Sequence, residues 1–74
     1  MIDLYTLLDR VRQVDKELGQ RLVKFIASDE RRYNTLAKKT SNRTAKVGVN
    51  MLIDTVQGYN VCREEDIEKL RSIE

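Results

Sequence analysis

Apolar residues recur three or four positions apart from the start of the chain. Leu4, Leu7, Leu8, Val11, Val14, Leu18, Leu22, Phe25 and Ile26 form one stripe, opposite Asp9, Arg12, Lys16 and Lys24. That period is helical, and proline, which would interrupt a helix, is absent. The stripe predicts a long amphipathic N-terminal helix from about Asp3 to about Ala27. Ser28, Asp29 and Asn34 then offer side-chain oxygens that cap a short second helix with Tyr33, Leu36 and Ala37 inward. Thr40, Ser41 and Asn42 read as a turn.

A third helix starting near Asn42 carries Ala45, Val49, Leu52, Ile53 and Val56 on one face. It ends at Gly58, which suits the left-handed position after a helix, and Tyr59 folds back over the last turn. A fourth begins around Cys62. Its first turn holds Glu64, Glu65 and Asp66, where helix amides favour negative charge, and Ile67, Leu70 and Ile73 turn inward. The expected fold is all-α, a single helical domain over residues 1–74 with about four helices.

Length qualifies this picture. A helix of about 25 residues is roughly 37 Å long, whereas a compact chain of 74 residues has a radius of gyration of about 11 Å and a diameter near 30 Å. Either Gly19, a weak helix former within the stripe, breaks the helix, or the helix overhangs and covers its stripe with a second copy. The homodimer is the favoured reading, with Leu4, Leu8, Val11 and Val14 in its interface. Gly19→Ala separates the two: it stabilises a continuous helix by up to about 1 kcal/mol and destabilises a left-handed break.

Charge adds the sharpest feature. The first thirty residues carry a net −1 and the last twenty-four −3, while Arg31 to Asn50 hold six basic side chains and no carboxylate. Such a concentration repels itself unless an anionic partner compensates it. Cys62 is the lone cysteine, so no internal disulfide forms. With no leading apolar run and no apolar span of about 20 residues, a cytoplasmic location without membrane contact is expected.

Enzyme chemistry finds little to work with. Histidine is absent, which removes Ser/His and Cys/His pairs and the usual metal-ligand sets. Glu64, Glu65 and Asp66 read as a helix start. Gly19, Gly48 and Gly58 are isolated, and Lys38-Lys39-Thr40 lacks the glycines of a phosphate-binding loop. The expectation is a protein that is not an enzyme, with no cofactor and no metal.

Binding fits better. Arg31, Arg32, Lys38, Lys39, Arg43 and Lys46 would meet phosphates, with Asn42 and Thr44 adding neutral hydrogen bonds, so nucleic acid is the first expected partner and a regulator's role is implied. Tyr33, the aromatic residue within the run, reads as a core residue rather than a stacking platform. The segment also fits a helix-turn-helix in part: with Ala37 as the small residue of the first helix, Ser41 takes the turn and Leu36 and Val47 take core positions, but Asn42 and Asn50 fall where that motif is apolar. The alternative is an adaptor or inhibitor of the kind phages and mobile elements use, its basic patch facing an acidic protein. A remote alternative comes from resemblance. Glu17-Leu18-Gly19 with Leu22 and Phe25, and Arg43-Thr44 with Met51, are faintly similar to phage proteins that sequester cyclic oligonucleotides; the likeness needs gaps and carries no binding residue over.

Overall fold

The N-terminal stripe is broken, and the break is at Asp15. In the computed structural model, which describes residues 2–73, helix α1 runs Leu4–Val14 and helix α2 runs Lys16–Ala27, with Asp15 extended between them at φ −151° and ψ 106°. Asp15 serves both helices. Its N–H donates to Val11 O at 2.9 Å, and its carboxylate accepts the Leu18 N–H at 3.1 Å, which caps α2. Gly19 is not the break. It lies inside α2 where α1 crosses, and a Cβ there would overlap the Arg12 side chain and stand 2.8 Å from Arg12 Cα.

Three further helices follow: α3, Glu30–Thr40; α4, Ala45–Val56; and α5, Glu64–Arg71. Asp29 caps α3, its carboxylate accepting the Arg31 and Arg32 N–H groups at 3.0 and 3.3 Å. Of the other two residues suggested as caps, Ser28 instead donates to Phe25 O at 2.7 Å, and Asn34 lies within α3. Thr44 caps α4. The turn between α3 and α4 contains Asn42 at φ 63°, a left-handed position that asparagine tolerates. Ile2 pins this turn to the N-terminus by donating to Arg43 O at 2.9 Å. Gly58, at φ 87°, takes the left-handed position after α4.

Among the described residues the five helices enclose one core. Leu7, Val11, Leu18, Leu22, Leu52 and Leu70 are fully buried, with Ile26, Leu36, Val49, Ile53, Val56 and Ile73 around them. The radius of gyration is 10.9 Å and the longest extent 27 Å, so a continuous helix over residues 3–27 would not fit. The overhang that motivated a dimer is therefore gone. Of the residues assigned to its interface, Leu4, Leu8 and Val11 fill the chain's own core, and Val14, at the α1–α2 corner, is 52% exposed.

Helix α5 is fastened by charge as well as by Leu70. Arg21 of α2 donates to Asp66 at 3.3 Å and to Val61 O at 2.9 Å, while Asp66 also accepts the Arg63 N–H at 3.0 Å. Lys69 reaches back to Asp15 at 2.7 Å. That hydrogen bond, followed by the Leu18 amide, holds the Asp15 carboxyl below its ordinary value, and the same contact raises the Lys69 ammonium above its own. The two ends of the pH scale should respond accordingly. Asp15 stabilises the fold above the ordinary carboxylate range and loses that contribution as pH falls through its lowered pKa. Lys69 contributes fully below the ordinary lysine range and ceases to as pH rises through its raised pKa. Urea unfolding as a function of pH should show Asp15→Asn with a shallower acid limb than the native chain; an identical acid limb would exclude the Asp15 contribution.

Candidate nucleic-acid interface

Each α-helical residue is rotated by about 100° from the last, and Leu36, 2% exposed, fixes which side of α3 faces the core. From that anchor Arg32, Lys39, Thr35, Arg31 and Lys38 fall on one arc of about 120° along the outer side. Tyr33 and Ala37 fall on the opposite flank. Arg31, Lys38 and Lys39 are exposed. Lys38 and Lys39 also sit in the last turn of α3, where cations offset the helix dipole; that effect is worth roughly 0.3–1 kcal/mol each and leaves the ammonium groups in solvent. Arg43, exposed in the following turn, extends the positive surface past the end of the helix.

The eight residues singled out in the sequence do not all converge. Arg32 is a structural clasp: its guanidinium lies 4.0 Å from the Phe25 ring centroid and 5.2 Å from that of Tyr59, and it donates to Phe25 O at 2.9 Å. It closes the C-terminus of α2, with one N–H donor spent on a backbone carbonyl and its plane held against two rings. Asn42 shapes the turn and Thr44 spends an oxygen lone pair on the Val47 N–H at 3.3 Å. Lys46 belongs to another surface, a groove between α4 and α5 shared with Asn50 and Arg71. What remains together is Arg31, Lys38 and Lys39 on α3, with Arg43 exposed in the turn that follows.

The helix-turn-helix register is not adopted. Leu36 is buried as that motif requires, but Val47 is 36% exposed, and Gly48 and Val49 turn inward in its place. The left-handed residue is Asn42 rather than Ser41. A one-residue offset at the turn rotates α4 by about 100°, so its outer face presents Lys46, Val47, Asn50 and Asp54, with a carboxylate among them.

Folding brings in residues that the sequence reading left out. Arg31, Arg32, Thr35 and Lys39 form one wall of a groove of about 270 Å³, and Thr55 and Tyr59 form the other. Asp29 lies at its end, its carboxylate turned onto the α3 amides. Tyr59 is 52% exposed and packs edge to face with Phe25 at 5.0 Å. The only hint in the sequence was its position after Gly58. Tyr33, in contrast, faces a separate apolar groove of about 490 Å³ between α1, α2 and α3. The neighbouring Tyr5 phenol, and then desolvation, keep the pKa of Tyr33 above the ordinary value.

Among the described residues no cluster of three potential metal ligands occurs, and no helix is long and apolar enough to cross a membrane. Burial, and then the Asp66 charge, push the Cys62 thiol up, away from the reactive thiolate. Neither the family models, the curated proteins nor the solved structures contain a match to this chain. The interface is therefore read from its own chemistry.

Proposed function

We propose that this is a small binding protein whose α3 face engages the phosphates of nucleic acid. The observation that supports this reading most is the placement of Arg31, Lys38 and Lys39 on one exposed arc, continued by Arg43. None of these side chains has an ion-pair partner among the described residues. The contrast with α5 is informative. There Arg21, reaching across from α2, and Lys69 are matched by Asp66 and Asp15, whereas Arg31, Lys38, Lys39 and Arg43 follow one another with no carboxylate between residues 31 and 50. Guanidinium and ammonium groups position phosphate by charge and hydrogen bonding, which is the role a binding surface asks of them.

Removing two of the cations is the direct test. Lys38→Ala with Lys39→Ala should change stability by less than about 0.5 kcal/mol, because both side chains are exposed. It should weaken nucleic-acid binding on the order of tenfold at 0.15 M salt for every sequence tried, and flatten the log–log salt slope by roughly 1.4 to 1.8. Fluorescence anisotropy against labelled oligonucleotides reads both quantities. Equal affinity and slope for the native and doubly substituted chains would refute the reading.

A further inference from the structure

The groove beside α3 says more about the ligand than charge alone does. In a duplex the bases are stacked inside and present only their edges in the grooves, and a protein reaches them with an element that projects, such as a helix entering the major groove. Here Arg31, Arg32, Thr35 and Lys39 of the α3 arc form one wall of a concavity, with Lys38 outside it on the same helix, and the opposite wall ends in the half-exposed ring of Tyr59. A ring in that place adds nothing to phosphate contact. It is, however, the sequence-tolerant platform on which an unpaired base stacks, next to cations that track the backbone. The surroundings suit that use. Phe25 fixes the ring edge to face and the Arg32 guanidinium lies 5.2 Å from its centroid, so the platform is preorganised, while Thr35 and Thr55 line the two walls beside it. The Thr55 hydroxyl donates to Met51 O at 2.8 Å, which leaves its oxygen lone pairs available to accept from a base amino or imino group.

We infer that the α3 groove takes single-stranded nucleic acid, with phosphates on Arg31, Lys38 and Lys39 and one base stacked on Tyr59. This rests on the nucleic-acid reading of the same face and narrows it. An acidic protein would be served by the cations alone and would leave the aromatic ring without a role.

The test compares labelled oligo(dT), oligo(rU) and a duplex of equal length at 0.15 M salt, with polyglutamate as competitor. Both single strands should bind at least about tenfold more tightly than the duplex, and the two arms show whether the ribose hydroxyl matters. Tyr59→Ala should lower single-strand affinity roughly five- to a hundredfold, as expected for one stacked base, leave duplex affinity unchanged, and Tyr59→Phe should restore the native value. Because Tyr59 also covers Phe25, a measurement on the native chain accompanies these: the Tyr59 ring protons should move upfield on adding oligo(dT) and stay in place with duplex. Duplex binding as tight as single-strand binding, or a motionless Tyr59 ring, overturns the inference while leaving general phosphate binding intact. Absence of binding to all three nucleic acids, or displacement by polyglutamate at matched charge, overturns both readings together.

Discussion

Replacing Gly19 with alanine is expected to destabilise the protein by about 2 kcal/mol or more, although alanine is the better helix former. In an open α2 the substitution would gain about 1 kcal/mol from backbone entropy. The gain is outweighed because Gly19 is the point at which α1 and α2 touch through their backbones: the new methyl group would lie 2.8 Å from Arg12 Cα and 2.9 Å from Arg12 N. A side-chain tip could swing aside, but these are main-chain atoms, so the two helices must separate. Overpacking of this kind typically costs roughly 1–3 kcal/mol and loosens the contacts around it. Chemical denaturation of Gly19→Ala should show a lower midpoint with an unchanged slope. An unchanged or raised midpoint would mean that α1 and α2 do not cross at this residue.

Leu22→Ala should have a larger effect. Leu22 is 0% exposed on the inner side of α2, within the cluster that includes Leu7, Leu18 and Leu52. Truncation removes three heavy atoms from contact and leaves a cavity, at a cost of about 2–5 kcal/mol. A domain of this size has only about 4–11 kcal/mol to lose. The variant is therefore expected to be partly unfolded at 37 °C, visible as a lowered Tm and reduced helical circular dichroism. Leu22→Met, close in volume, should lose less than about 1.5 kcal/mol. Equal tolerance of alanine and methionine would place Leu22 outside the core.

The inward positions were legible in the sequence because burial has to follow the helical period. Leu4, Leu7, Leu8, Val11, Leu18, Leu22 and Ile26 are all buried as their spacing requires, and so are Leu36, Val49, Leu52, Ile53, Val56, Leu70 and Ile73. The break at Asp15 was hidden by the same regularity. Val11 and Leu18 stay in phase across it, so periodicity registers no interruption, and the cap that Asp15 supplies looks like any polar residue on a helix surface. Gly19 drew attention as a helix breaker when its role is close approach, a property of two helices that one helix's pattern does not contain.

The site divides along a similar line. Arg31, Lys38 and Lys39 share a face because they share a helix, and local geometry settles that. Arg32 belongs to the same arc but is claimed by Phe25 and Tyr59, which lie in other segments. Lys46 leaves the group because the rotation of α4 is set by the left-handed Asn42 and by Gly48 packing near Leu7. Tyr59 enters it only when the end of α4 returns beside α3. Each of these three depends on tertiary placement, which charge counting along the chain does not register.

Mapping backbone amides by heteronuclear NMR during titration with oligo(dT) tests the central claim most directly, because it locates the ligand without altering the protein. The expected result is a set of shifts confined to one surface: Arg31, Thr35, Lys38 and Lys39 on α3, Arg43 in the turn, and Tyr59 across the groove, fading as salt is raised. Shifts centred instead on Lys46, Asn50 and Arg71, or on the apolar groove around Tyr5 and Val23, or an unchanged spectrum at saturating oligonucleotide, would contradict it.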